Sequence, residues 1–225
     1  MQFTEKIRKL AAPYWEASFQ HPFLKEVASG RLDAQIFRYY LIQDRYYLEH
    51  FGKLYTFIGE ATTDSKIKEL MKQHARDLNQ GEVNIRAQFF QLLEIGEEEI
   101  ATTAIAPTTY HYVSHMYRQL LEGSPEVAMA GMLPCAWLYQ EIGERLIMRG
   151  SPEPLYQKFI ETYAGEESAQ KITEERHMLD ELYVKATQKE QKQMEEAFII
   201  SSQMEYLFWE MAYTFEKWPE GVENV

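Results

Sequence analysis

The sequence predicts a single all-α domain built as a helical bundle. Apolar residues recur at the three- and four-residue spacing of amphipathic helices through almost the whole chain. The 11 glycines and 8 prolines are few, and they fall mainly where one periodic segment ends and the next begins. No segment alternates apolar and polar residues between turn signals, as a half-buried strand does. We therefore expect one helical domain over residues 1–225, without a linker or an internal repeat.

The first part of the chain contains four predicted helices. A helix from about Thr4 to Phe19 contains Pro13, which can bend it. A short helix in HPFLKEVASG ends at Gly30. Asp33 can cap the long helix AQIFRYYLIQDRYYLEHFGKLYTFIGEA. One further helix is expected from about Ser65 to Leu93, because apolar residues recur along it at helical spacing.

The predicted helices continue to the end of the chain. PTTYHYVSHMYRQLLEG begins with Pro-Thr and ends with Gly, which are common helix start and stop signals. Ser124 and Pro125 suit the first positions of the helix that carries Cys135. PEPLYQKFIETYAG and EESAQKITEERHMLDELYVKA follow, and the last long helix runs from about Gln188 to Phe215. We expect the long central helices to face each other across the bundle.

Composition and charge exclude several classes of function. The chain has 225 residues and a net charge of -12, which repels phosphate backbones, so we expect no nucleic-acid partner. A single cysteine allows no intramolecular disulfide and no cysteine-based structural zinc site. The start, MQFTEKIRKL, lacks the apolar segment of a signal peptide, and the longest apolar runs are too short to span a membrane. We expect a cytoplasmic, reduced protein without a membrane partner.

Three potentially reactive side chains, Cys135, Asp44 and Glu205, lie on apolar faces of three different predicted helices. Their neighbours one turn away are Leu138 and Tyr139 for Cys135, Tyr40, Leu41, Tyr47 and Leu48 for Asp44, and Phe208 and Trp209 for Glu205. Taken singly, the cysteine could fill the core and each carboxylate could turn to water at a helix edge. Taken together, a thiol and two carboxylates in one bundle core would form a nucleophile with two proton-handling groups.

Two histidine patterns resemble metal-binding motifs. Glu174 and His177 have the Glu-x-x-His spacing of di-iron bundles, but such sites need a second pair and two further Glu residues, and the charged surroundings favour a solvated face. His111 and His115 lie one helical turn apart, without a carboxylate ligand nearby. We therefore expect no metal and no cofactor, although the pattern alone leaves a haem role for one histidine open.

Six segments, in the order HPF, YYLIQDRYYLEHF, YHYVSHMYR, LPCAWLYQEIGE, YQKFIETYAG and SSQMEYLFWEMAY, resemble those of one known family. By these segments the chain is similar, over essentially its whole length, to the thiaminase II family of TenA-type aminopyrimidine aminohydrolases that have a catalytic cysteine. The resemblance implies a haem-oxygenase-like all-α bundle over residues 1–225 that uses neither haem nor metal. It also implies a homotetramer.

The same resemblance implies a hydrolase that acts on a small pyrimidine. Members of the family hydrolyse a pyrimidine with a 4-amino group and a leaving group on its 5-methylene. The leaving group is the ammonia of 4-amino-5-aminomethyl-2-methylpyrimidine or the thiazolium of thiamin. The product is 4-amino-5-hydroxymethyl-2-methylpyrimidine, which re-enters thiamin synthesis. Which leaving group is preferred stays open.

The resemblance also assigns roles to individual residues. Cys135 would add to the pyrimidine ring, Glu205 would protonate a ring nitrogen, and Asp44 would hold the exocyclic amino group and the adjacent ring nitrogen. The remaining predicted site residues are Tyr47, which would assist Cys135, Tyr163, which would hydrogen-bond Glu205, and Tyr112, Trp137, Tyr139 and Phe208, which would form or support the pocket. Two alternatives are a non-catalytic pyrimidine-binding or regulatory protein on the same scaffold and a di-iron or haem oxidase.

Overall fold

The described part of the chain is entirely helical apart from its turns and loops. The computed structural model describes residues 1–79 and 83–219, and these residues contain no β-strand. The helices are α1 (Phe3–Phe19), α2 (Pro22–Ser29), α3 (Ala34–Ala61), α4 (Ser65–Asp77), α5 (Val83–Leu92), α6 (Glu97–Thr102), α7 (Pro107–Arg118), α8 (Pro125–Ile147), α9 (Pro154–Tyr163), α10 (Glu166–Lys185) and α11 (Gln188–Thr214). A π-helical turn at Gln119–Gly123 joins α7 to α8. None of the helices in the two described ranges is long and apolar enough to cross a membrane.

Side-chain caps fix the starts of the helices that carry the central residues of the bundle. The Asp33 carboxylate accepts a hydrogen bond of 2.7 Å from the backbone N–H of Gln35, which begins α3 as predicted. Ser124 caps α8 by accepting from the N–H of Val127, again as predicted. At the end of α2, Gly30 adopts a left-handed conformation with φ of 70°, which confirms it as the helix stop.

The prediction of one helix from Ser65 to Leu93 is wrong. The structure has two helices in this range, α4 and α5, and α4 ends at Asp77. The junction between them includes residues 80–82, which lie outside the described residues. Helix α4 packs along α3, while α5 packs against both α3 and α9.

The long helices α3, α8 and α11 form the centre of the bundle. Helix α11 packs against α1, α3, α7 and α8, so it has neighbouring helices on several sides. Aromatic rings fill the space between α3 and α11: Tyr40 stacks on Trp209 with ring centroids 5.5 Å apart and an interplanar angle of 15°. The predicted arrangement, in which the long helices face each other, is confirmed.

Candidate active site

The structure brings Cys135, Asp44 and Glu205 together from three helices. Cys135 lies on α8, Asp44 on α3 and Glu205 on α11. The two carboxyl groups are buried, with residue exposures of 5% for Asp44 and 2% for Glu205, whereas Cys135 is half-buried. The Cys135 thiol and the Asp44 carboxyl group both lie close enough to the Glu205 carboxyl group to change its pKa, the thiol lowering it and Asp44 raising it. The three residues therefore form one polar cluster inside the bundle.

The pKa of Glu205 is strongly raised in this cluster. Burial raises the pKa of Glu205 from 4.5 to about 8, because the charged form loses its hydration. The Tyr112 hydroxyl donates a hydrogen bond of 2.6 Å to the carboxyl group and lowers this pKa in part, while the charge of Asp44 raises it and Cys135 lowers it. Glu205 can therefore hold a proton at neutral pH and can also release it.

Asp44 forms a buried ion pair with Arg86, a residue that the sequence analysis missed. The Arg86 guanidinium reaches from α5 to the Asp44 carboxylate on α3, and both side chains are nearly inaccessible to solvent. Burial raises the pKa of Asp44, and the positive charge of Arg86 opposes that increase. Arg86 lies in the apolar segment VNIRAQFFQLL, with Phe89 one turn after it. A charged residue on an apolar helix face is the sequence pattern that indicates a buried charge at this position.

Replacing Arg86 by Met is expected to destabilise the fold by about 3–5 kcal/mol, because it leaves the Asp44 carboxylate buried without its cation. The measurement is the free energy of unfolding from urea denaturation at pH 7. Arg76→Met is the matched control, since Arg76 is an exposed arginine on α4 whose contacts are at the surface. A loss of less than about 1 kcal/mol in Arg86→Met would contradict the structural role of the ion pair.

Aromatic residues surround the polar cluster. Tyr47 lies between Tyr112 and Phe208, with ring centroids 4.9 Å and 5.7 Å away, and its side chain is close to Cys135. Burial raises the pKa of Tyr47 well above its ordinary value, so its hydroxyl stays protonated at neutral pH and can donate a hydrogen bond. On the other side of the cluster, the hydroxyls of Tyr40 and Tyr139 are 2.9 Å apart.

A cavity of about 320 Å³ opens onto the cluster. Asp44, Cys135, Tyr139 and Tyr163 line the part of the cavity that carries the predicted site residues. The remaining lining residues come mainly from α3, α4, α9 and α10 and are Leu48, Phe51, Tyr55, His74, Asp77, Leu78, Ile85, Ala136, Gln140, Thr162, Lys171, Ile172 and Glu175. A cavity of this size can enclose a small organic ligand, with the thiol and the Asp44 carboxylate at its wall.

Two of the predicted site residues have surroundings that bear on their predicted roles. Trp137 packs edge-on against Trp15, with ring centroids 5.3 Å apart, and the Arg176 guanidinium stacks over its ring at 3.9 Å. These contacts place Trp137 behind the cavity wall as support, and its part in substrate binding stays a prediction. Tyr163 lines the cavity and packs against Tyr139 at 4.8 Å. Its predicted hydrogen bond to Glu205 also stays a prediction.

The charged segment KITEERHMLDE of α10 is only partly a solvated face. Glu174 and His177, the residues of the di-iron-like motif, are exposed, as the sequence analysis expected. Glu175, between them, is 2% exposed and lines the cavity. Within residues 1–79 and 83–219, no group of three or more His, Cys, Asp or Glu side chains is arranged to hold a metal ion. Glu175 is thus a second functional candidate that sequence reasoning missed.

The chain is similar to known proteins over nearly its whole length. Residues 8–215 match the TENA/THI-4/PQQC family. The chain is 41% identical over 221 residues to the aminopyrimidine aminohydrolase of Bacillus subtilis (strain 168), covering 98% of this chain and 94% of that protein. It superposes on a TenA homologue from P. horikoshii OT3 with a TM-score of 0.86 and 24% identity, covering 95% of this chain and 99% of that one.

The fold itself has a known precedent. A domain with a haem-oxygenase-like fold from Shewanella denitrificans OS217 superposes with a TM-score of 0.74 and 17% identity, covering 94% of this chain and 92% of the other. The structure is therefore an all-α bundle of the haem-oxygenase-like class with a polar internal cavity, which confirms the predicted fold class. The chain belongs to the TENA/THI-4/PQQC family.

Proposed function

We propose that this protein hydrolyses 4-amino-5-aminomethyl-2-methylpyrimidine, and thiamin, to 4-amino-5-hydroxymethyl-2-methylpyrimidine through a covalent adduct on Cys135. The observation that carries the proposal is the contact between the Cys135 thiol and Glu205, whose pKa of about 8 suits proton transfer near neutral pH. The 41% identity to the Bacillus subtilis aminopyrimidine aminohydrolase supports the substrate class. An activity of this kind would act in thiamin salvage.

The Cys135–Glu205 contact suggests how the nucleophile is activated. The ionised Glu205 carboxylate, whose pKa burial raises to about 8, is basic enough to accept the proton of the neighbouring thiol. The result is a thiolate beside a neutral carboxylic acid, the pair that attack on a neutral aminopyrimidine requires.

The reaction then proceeds in balanced steps. The Cys135 sulfur forms a bond to a ring carbon while Glu205 gives its proton to a ring nitrogen, so the ring accepts the electron pair without building up negative charge. The bond between the methylene carbon and the leaving group breaks, and the leaving group takes its electron pair. The amino group leaves as ammonia from its protonated form, whereas the thiazolium leaves as neutral thiazole. Water then adds its oxygen to the methylene carbon, and the proton that it loses is taken up by the released ammonia or by solvent. The carbon–sulfur bond then breaks, the thiolate is released, and the ring nitrogen returns its proton to Glu205.

Asp44 would orient the ring for this chemistry. Arg86 counters the effect of burial on the Asp44 carboxylate, so that the carboxylate can accept hydrogen bonds from an exocyclic amino group. Tyr139 and Tyr163 present aromatic surface to the same space. A ring held between Asp44 and Glu205 would have a ring carbon beside the Cys135 sulfur. Attack by the sulfur would then have the rate advantage of a reaction between groups that are already held together.

The test is to incubate the purified protein with 4-amino-5-aminomethyl-2-methylpyrimidine and, separately, with thiamin, and to quantify hydroxymethylpyrimidine by chromatography. Catalytic formation of this product from either compound supports the proposal. Binding of the pyrimidines by calorimetry without turnover would instead favour the non-catalytic regulatory alternative. Oxidation of a substrate that depends on added iron or haem would favour the oxidase alternative.

We also propose that the protein assembles as a homotetramer and functions in the cytoplasm. Large apolar side chains on several helices are exposed in the single chain, including Leu121, Met148 and Val184, which are 80% or more accessible. Light scattering after size exclusion is expected to give a mass four times the 26.6 kDa of one chain. A mass of one or two chains over a range of protein concentrations would contradict the tetramer.

A further inference from the structure

We propose that the end of the cavity formed by Tyr55, His74 and Glu175 is a subsite for the positively charged leaving group of the substrate. The inference rests on the proposed aminopyrimidine substrate, whose ring would occupy the end near Asp44 and Cys135. The same cavity continues between α3, α4 and α10, which supply Tyr55, His74 and Glu175 respectively. The subsite would take a flat heteroaromatic cation, of which the thiazolium of thiamin is an example.

The first argument is the state of the Glu175 carboxyl group. Its side chain is 3% exposed, and its nearest ion-pair contact is His74, with Oε2 and Nε2 separated by 3.7 Å. This distance is too long for a hydrogen bond, so the two groups interact as a buried ion-pair contact. The buried Nε2 of His74 has no hydrogen-bond partner among the described residues. A buried carboxyl group that faces its neighbour across such a distance gains stability from a ligand that brings a positive charge to it.

The second argument is the charge balance at this end of the cavity. Lys171 forms an ion pair with Asp77 at 2.9 Å, so these two charges compensate each other. Among the described residues that line this end of the cavity, Glu175 is then an acidic group whose charge an incoming cation can neutralise. Burial raises the pKa of Glu175 while His74 opposes the increase, and a cation beside the carboxyl group would stabilise its ionised form further. The subsite therefore favours cations over neutral or anionic groups.

The third argument is the shape of the cavity wall. The ring of Tyr55 stacks on the His74 imidazole with centroids 5.0 Å apart and an interplanar angle of 18°, and both residues line the cavity. Leu78 and Ile172 supply apolar surface to the same cavity. A flat cation can stack on the aromatic surface and contact Glu175 with its positive edge. A cavity of about 320 Å³ lies within the usual range for ligands larger than a single substituted ring.

The experiment compares ligands with and without the leaving group. Calorimetry would give Kd for thiamin and for hydroxymethylpyrimidine, both in a Cys135→Ser background that prevents turnover. Glu175→Gln is expected to weaken thiamin binding by about tenfold or more, and to leave hydroxymethylpyrimidine binding within about twofold. Glu174→Gln is the matched control: Glu174 is the exposed neighbour on α10, bonded to Gln170, and its substitution should change neither Kd.

An equal change for both ligands, or no change for thiamin, would overturn the subsite. A second measurement avoids any folding defect of Glu175→Gln: with Glu175 intact, thiamin should bind about tenfold more tightly than an uncharged analogue with thiophene in place of the thiazolium. Equal affinities would also overturn the inference. Failure of the proposed function is seen separately, as wild-type protein that hydrolyses neither pyrimidine, and a selective loss of thiamin affinity in Glu175→Gln would still support the subsite.

Discussion

Replacing Cys135 by Ser is expected to reduce kcat/KM for aminomethylpyrimidine hydrolysis by at least about 10³-fold while the protein still folds and binds the pyrimidine. A serine hydroxyl is far less acidic than a thiol, so its proton would not pass to Glu205, whose pKa is about 8. The measurement combines chromatographic rates with the Kd of hydroxymethylpyrimidine from calorimetry. Unchanged Kd with lost turnover separates a catalytic role of the thiol from a packing role.

The control for this prediction is a substitution that introduces a serine hydroxyl next to Cys135 and leaves the thiol in place. Ala136→Ser fits, because Ala136 is the next residue on α8, is also half-buried and lines the same cavity. It should retain most of the activity. If Cys135→Ser kept more than about a tenth of the wild-type rate, the covalent mechanism would have to be abandoned. Hydrolysis would then have to proceed by direct attack of water.

The polar cluster shows why some of the site could be predicted from sequence. Asp44 and Glu205 each carry a charge on an apolar helix face, and a buried charge needs a partner or a ligand. This pattern is visible in the sequence because helical spacing tells which neighbours share a face. This pattern does not show which helices pack together, so the proximity of Cys135 and Glu205 is visible only in the tertiary structure.

Arg86 and Glu175 satisfy the same criterion but were missed. Arg86 belongs to α5, which the sequence predicts as a continuation of α4, so the direction of Arg86 across α3 cannot be inferred from the sequence. Glu175 lies between the exposed Glu174 and His177, and the high local charge obscured its apolar neighbours one turn away. For Trp137, the family resemblance implies that it forms or supports the pocket wall; its ring contacts Trp15 and Arg176, and its part in substrate binding stays a prediction. Side-chain direction within a crowded helix decides such cases, and sequence spacing alone fixes it poorly.

Replacing Glu205 by Gln is expected to lower kcat/KM by about 10²-fold or more, because glutamine can hydrogen-bond the ring but cannot protonate it. Because the proposed active form shares one proton between Glu205 and Cys135, the wild-type rate should rise as pH approaches about 8, where the carboxyl group becomes able to accept the thiol proton, and should fall at higher pH once the pair has lost that proton too. Glu196→Gln is the matched control, since Glu196 is an exposed residue on the same helix. A Glu205→Gln variant with near wild-type rates would show that the proton comes from another group.

The same substitution has a second, independent effect on stability. The folded pKa of Glu205, about 8, lies above its ordinary value of 4.5, so below about pH 4.5 the carboxyl group is neutral in both the folded and the unfolded chain. Between these two pKa values the unfolded chain ionises while the folded one stays neutral, and the folded state loses stability as pH rises. The free energy of unfolding is measured by urea denaturation at pH 5 and pH 8. Between these two pH values, Glu205→Gln should gain a few kcal/mol of stability relative to wild type, at about 1.4 kcal/mol for each pH unit. Stability differences that do not change with pH would mean that the carboxyl group is not held neutral by burial, and the proton donor of the proposed reaction would be lost with it.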